Sequence, residues 1–279
     1  MQSMTLKTAD GLDLHTIRWP VATPRARVVI VHGLGEHAAR YTHVAAALNA
    51  ADFSVYALDH RGHGRSSGTR TYFDSFDQPE ADLARYIDEI RQTTPDVPLF
   101  IYGHSMGSLI ALRYTLKHQG DLAGLIVSGY ALSVKDTAPT LLFAVIRSLS
   151  TIIPKQRLLP LGYDRLISRD PVVQAAYRDD PLVDSGLLRV GMAAKLLAEA
   201  EDQRGQHQRL HLPILILHGS DDQITPASGG EILFEQVSST DKTHTVYPAA
   251  YHELHNEPEQ ETVIADIVAW LKAHCEPVS

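Results

Sequence analysis

The chain has 279 residues, 44% hydrophobic and 21% charged, which fits one packed globular domain with a modest insertion and excludes a disordered chain. Its formal net charge is −8, and no run of Lys or Arg supplies the basic face that phosphate tracking requires, which argues against nucleic-acid binding. The one cysteine, Cys275, excludes an intrachain disulfide and a cysteine-rich zinc site.

Residues 1–14 hold no apolar stretch of the kind a secretory signal needs, so the expectation is a soluble cytoplasmic chain. Residues 4–19 carry Asp10-Gly11 between two partly alternating runs, which predicts a β-hairpin. Beyond it the pattern changes to short, nearly unbroken apolar runs at 28–31, 53–58, 99–102, 122–127 and 214–217. Continuous apolarity means that both faces are buried, as in central parallel strands covered by helices. Helical patterns lie at 38–51, 80–91, 106–118, 227–237 and 259–273, with Thr225-Pro226 reading as an N-cap and a first-turn proline. Alternating strands and helices predict an α/β fold with a mostly parallel sheet and helices on both faces. The alternation stops between 130 and 206, where a leucine-rich, helix-like stretch is divided by Pro139, Pro154, Pro160, Pro171 and Pro181 and offers no buried strand. Its most apolar part, 141–153, is broken by Arg147 and falls short of the roughly 18 residues a spanning helix needs. We read 1–129 and 206–279 as the core and 130–205 as a helical cap inserted over the carboxyl ends of the strands, where open α/β sheets bind ligands.

Gly103-His104-Ser105-Met106-Gly107 follows the run 99–102 and opens a helical pattern. Strand, sharp turn and helix are the setting of a nucleophile elbow, whose flanking glycines keep Cβ atoms out of a crowded turn. A serine hydroxyl needs a base, and the base an orienting carboxylate. In this fold class the partners follow in the order Ser, acid, His. The run 214–217 ends in Gly219-Ser220-Asp221-Asp222, and the next leads to Tyr251-His252-Glu253-Leu254-His255. Spacing leaves open Asp221 or Asp222 as acid and His252 or His255 as base. Two amides should hold the oxyanion: the N–H of Met106, which follows the nucleophile, and that of Leu34 in the loop His32-Gly33-Leu34-Gly35. This chemistry requires neither a metal nor an organic cofactor.

Two rival readings compete for the early loops. Gly33-Leu34-Gly35-Glu36-His37-Ala38 fits Gly-x-Gly-x-x-Ala after a strand, with Asp59 ending the next strand, as in a NAD(P)-binding Rossmann site. The preceding hairpin and the placement of Ser105, Asp222 and His252 stand against it. Asp59-His60-Arg61-Gly62-His63-Gly64 invites a metal site, but its turn glycines explain it more simply.

The chain resembles the monoacylglycerol lipases of the α/β-hydrolase fold, within the wider serine aminopeptidase S33-type hydrolases. The likeness rests on His32-Gly33-Leu34-Gly35-Glu36-His37 with Arg40-Tyr41, on Asp59-His60-Arg61-Gly62-His63-Gly64-Arg65-Ser66, on Gly103–Gly107, on Gly219–Asp222 and on Tyr251–His255. It implies Asp222 as the acid and His252 as the base. It further implies a small lipid-ester substrate, with Glu36, Arg40 and His255 near its polar head; the competing reading of Glu36 and Arg40 is a buried structural ion pair. Mammalian members carry cysteines near the entrance, whereas Cys275 lies in the final helix, so cysteine-directed regulation is not carried over. In the cap, Leu141, Leu142, Phe143, Val145, Ile146, Leu149, Ile152 and Ile153 are candidates for an acyl tunnel or simply for the cap's own core. Peripheral, transient contact of the cap with a membrane is a further expectation. A lysophospholipase or a general carboxylesterase is the alternative reading of the activity.

Overall fold

The computed structural model describes residues 1–93, 96–132, 140–160 and 162–275, the side chains of 140 and 141 excepted. Its strands are β1 (Gln2–Lys7), β2 (Asp13–Trp19), β3 (Ala26–Val31), β4 (Phe53–Leu58), β5 (Leu99–His104), β6 (Gly124–Ser128), β7 (Arg157–Pro160), β8 (Leu187–Arg189), β9 (Ile214–Gly219) and β10 (Lys242–Tyr247). Among the described residues, eight of these form one sheet in the order β1-β2-β4-β3-β5-β6-β9-β10. Within this sheet β1–β2 and β2–β4 pair antiparallel and the other described pairs are parallel. The hairpin expected around Asp10-Gly11 is β1–β2, with Gly11 at φ +89° in its turn.

The helices are α1 (Thr42–Ala50), α2 (Asp77–Thr93), α3 (Met106–His118), α4 (Thr140–Ile152), α5 (Pro171–Asp179), α6 (Val190–Arg204), α7 (Ser228–Gln236) and α8 (Gln260–Cys275). Their burial explains the unbroken apolar strands. Val29, Val31, Leu99, Ile101, Leu125 and Val127 share one core with Leu83 and Ile87 of α2 and Leu109 of α3. The intervening residues Val28, Ile30, Phe100, Tyr102 and Ile126 face a second core with Leu48 of α1 and Ile267 and Leu271 of α8. Both sides of the sheet are thus dry, as period-free apolarity requires. This is an α/β-hydrolase fold.

Three local expectations need correction. Residues 38–51 are not one helix, because Ala38–Tyr41 form a tighter 3-10 turn before α1. Thr225 does not cap α7: the N-cap is Ala227, without a side-chain bond, and the Thr225 hydroxyl turns into the site described below. The stretch between β6 and β9 is not wholly helical either. It contains the two-stranded antiparallel ribbon β7–β8, whose short, half-exposed strands carry no buried apolar run and end on Pro160.

Candidate active site

Ser105 sits between β5 and α3 at φ 54° and ψ −123°, a conformation that side chains with a Cβ rarely adopt. The fold holds it there: the Ser105 N–H donates to the Ser128 carbonyl at 3.0 Å, and the Ser105 carbonyl accepts the Ser108 hydroxyl at 2.5 Å. Two glycines are obligatory around it. A Cβ on Gly103 would lie 2.7 Å from the Gly107 carbonyl oxygen, and a Cβ on Gly107 would collide with the Val31 carbonyl. A backbone held in such strain is a mark of a functional position.

Asp222 follows β9, and His252 follows β10. The His252 Nδ1 N–H donates to Asp222 Oδ2 at 2.7 Å. Asp222 is otherwise caged by donors, with the N–H groups of Ile224 and Thr225 on Oδ1, both at 2.9 Å, and the Thr225 hydroxyl 3.0 Å from Oδ2. Burial alone would raise the Asp222 pKa, but His252 and His218 outweigh it and hold the carboxyl well below the usual range. Burial likewise opposes the charged form of His252; the Asp222 charge and hydrogen bond prevail, so its pKa lies above the ordinary value. The geometry therefore joins Asp222, not Asp221, to His252, not His255. The Asp221 carboxylate instead accepts the Ser220 hydroxyl. His255 is fully buried, stacks on Tyr41 at 4.5 Å, and is driven well below its usual pKa by burial. The His104 ring packs between them, 4.7 Å from His252 and 5.1 Å from His255, and burial pushes its pKa down to about 3.

Ser105, His252, Leu34 and Met106 line one cavity of about 380 Å³. Met106 is the first residue of α3, where N–H groups lack intrahelical partners. Leu34 lies in a loop fixed on both sides: the Gly33 N–H donates to Glu36 Oε1 at 2.6 Å, and the Asp184 N–H donates to the Gly35 carbonyl at 2.7 Å. Gly35 adopts φ +78° there. Asp59, the acid of the dinucleotide reading, is buried and consumed by this framework, accepting the N–H groups of Ala38 and Arg65 at 2.8 and 2.9 Å. His60 and His63 pack as buried rings around His32, and burial holds them at pKa values of about 3 and 4.

The cavity has two chemically distinct walls. The apolar wall includes Leu142, Phe143 and Ile146 of α4, together with Leu159, Leu188, Leu196 and Leu197. Of the other tunnel candidates, Val145 is 46% exposed and Ile152 77%, and the Leu141 side chain lies outside the described residues. The polar wall holds Glu36, Glu253, Tyr177 and Thr225. Arg40 and His255 are not on it. Arg40 sits behind the carboxylates, donating to Glu36 Oε2 at 2.9 Å and to both oxygens of Glu253, with its guanidinium over the Tyr177 ring at 4.7 Å. The ion-pair reading of Glu36 and Arg40 is thus realised, with Glu36 also facing the cavity. Burial raises the Glu36 pKa despite Arg40, whereas at Glu253 the paired guanidinium overcomes burial and lowers it. Sequence reasoning missed Glu253 and Thr225. Each lies within three residues of a chosen partner, in a loop whose direction a linear pattern does not record.

The family described as serine aminopeptidase, S33, matches residues 22–259. The chain is 38% identical over 255 residues to a monoacylglycerol lipase of Mycolicibacterium smegmatis, covering 91% of each chain. It is 33% identical over 270 residues to a monoglyceride lipase of Homo sapiens, covering 95% of this chain and 89% of that one. The crystal structure of a Paleococcus ferrophilus monoacylglycerol lipase superposes with a TM-score of 0.83 at 33% identity, over 94% of this chain and 99% of that one. The chain therefore belongs to the serine aminopeptidase S33 family of α/β-hydrolases and, within it, to the monoacylglycerol lipases.

Proposed function

We propose that this chain is a carboxylic ester hydrolase that cleaves monoacylglycerols to fatty acid and glycerol through an acyl-enzyme. The observation that carries the reading is the Asp222–His252 bond beside a strained Ser105 in a cavity with one apolar and one polar wall. In this scheme His252 Nε2 takes the Ser105 hydroxyl proton while Oγ attacks the ester carbonyl. The N–H groups of Leu34 and Met106 receive the oxyanion, in a site where preorganised donors are worth far more than in water. Asp222 fixes the His252 tautomer and stabilises the imidazolium. The same proton then goes to the departing glycerol oxygen. Water, deprotonated by His252, attacks the acyl-enzyme, and collapse releases the fatty acid and restores Ser105.

Residues 130–205 act as the cap in this reading. Its apolar wall takes the acyl chain, each buried methylene adding about 0.8 kcal/mol of binding. It leaves the apolar side chains of Val145, Ile152, Leu158 and Leu187 exposed, which supports transient contact with the lipid surface where such substrates dissolve. Among the described residues no helix is long and apolar enough to cross a membrane. Flotation with liposomes tests the contact: the chain should rise with vesicles and Ile152→Asp should weaken it, whereas no flotation overturns it.

A hydrolysis panel of mono-, di- and triacylglycerols across acyl lengths tests the activity. Monoacylglycerols should give the highest kcat/KM. Equal turnover of all three classes, or none of any, contradicts the assignment.

A further inference from the structure

The polar wall carries an unbalanced set of charges. Glu36 and Glu253 line the cavity, yet among the described residues no Lys or Arg does. The nearest guanidinium, Arg40, is spent. Both Glu253 oxygens and one Glu36 oxygen take its N–H groups, and its remaining face is covered by Tyr177. The carboxylates themselves are pinned. Tyr41 and the Gly33 N–H donate to Glu36, and Asn256 donates to Glu253 at 2.8 Å. Neither acid can swing away, and Arg40 cannot swing out to meet a ligand without leaving two buried carboxylates unpaired, a costly state.

Resting on the hydrolase reading above, we propose that Glu253, with Glu36, is a specificity-determining anion filter that admits esters of neutral alcohols and rejects esters whose alcohol bears a phosphate. The acyl chain must take the apolar wall, so the alcohol faces the acids. A glycerol hydroxyl donates to a carboxylate, whereas a phosphate offers acceptors and like charge to a wall that, among the described residues, holds no Lys or Arg to answer it. Like-charge juxtaposition in a water-poor site is heavily disfavoured. The filter separates the monoacylglycerol assignment from the lysophospholipase alternative by chemistry rather than by chain length.

The test compares kcat/KM for three monomerically dissolved octanoyl esters: 1-octanoylglycerol, its 3-O-tert-butyl ether as a bulky neutral control, and 1-octanoylglycerol 3-phosphate. The wild-type chain should turn over the first two within about tenfold of each other and the phosphate at least about 100-fold more slowly than the ether. Glu253→Gln and Glu36→Gln should each narrow the ether-to-phosphate gap by about tenfold or more, whatever either does to the absolute rate. A phosphate rate within tenfold of the ether, or a gap unchanged in both variants, overturns the filter and leaves the hydrolase reading standing. No turnover of any of the three overturns that reading and the filter with it.

Discussion

At the scale of single residues, the account turns on how a weak nucleophile is made reactive. Ser105→Ala should remove ester turnover while leaving the circular dichroism spectrum unchanged. Asp222→Asn should lower kcat by about 10⁴, because the amide no longer selects the right His252 tautomer. Thr225 also belongs to this group. Its hydroxyl lies 3.0 Å from Asp222 Oδ2 and 3.1 Å from both the Gly129 carbonyl oxygen and His252 Nδ1. Although it lines the cavity, its hydroxyl is committed to holding the acid. Thr225→Val should lower kcat by about tenfold with KM little changed, the signature of a lost transition-state contribution. Its serine counterpart should restore most of the rate. The pH profile follows from His252. The base works only when neutral, and the Asp222 charge raises its pKa above the ordinary imidazole value, so kcat/KM should fall with acidification and begin to do so above the pH at which a free imidazole would titrate. A rate flat from pH 5 to 8 contradicts His252 as base. Much of this site was legible in the chain: order and spacing selected Ser105, a pair of acids and a pair of histidines. The final choice within each pair needed either the family resemblance or the loop geometry that turns Asp222 inward and buries His255 against Tyr41.

At the scale of elements, the elbow is held by the tightness of β5 and α3 against β3. Gly107→Ala places a Cβ on the Val31 carbonyl, and backbone cannot yield there cheaply. We expect a loss of roughly 2–4 kcal/mol in urea unfolding, well beyond the usual effect of one added methyl. An unaltered midpoint would show that α3 sits farther from β3 than described. The same tightness explains what the sequence made readable. Central strands buried on both faces leave unbroken apolar runs, and residues 53–58 and 106–118 were bounded correctly from that pattern and from the elbow. The ribbon β7–β8 left no such trace, since its strands are short, half exposed and interrupted by a register shift between Arg157 and Leu159. Thr225-Pro226 misled for a related reason: a good capping residue was recruited by a carboxylate that binds its hydroxyl more strongly than a helix end does.

At the scale of the whole molecule, the number of buried histidines sets the acid stability. His32, His60, His63, His104 and His255 are all buried, and burial depresses the pKa of each. A depressed folded-state pKa gives stability that is fully present above the unfolded value of about 6.5 and is lost as pH falls toward the folded values. Each group costs up to about 1.4 kcal/mol per pH unit in that window. His252 acts with the opposite sign, its contribution being lost as pH rises through its raised folded pKa, but it is one group against five. The urea midpoint should therefore decline steadily from pH 7 to 5. A midpoint constant over that range would mean that these rings are hydrated rather than sealed.

The central claim is that Ser105, His252 and Asp222 work as one unit. It is tested most directly by reacting the intact chain with a fluorophosphonate and locating the adduct by peptide mass spectrometry. A single adduct on the peptide carrying Ser105, formed at least about 1,000-fold more slowly after His252→Ala, is the predicted result. An adduct on another residue, or equal labelling without His252, would contradict it.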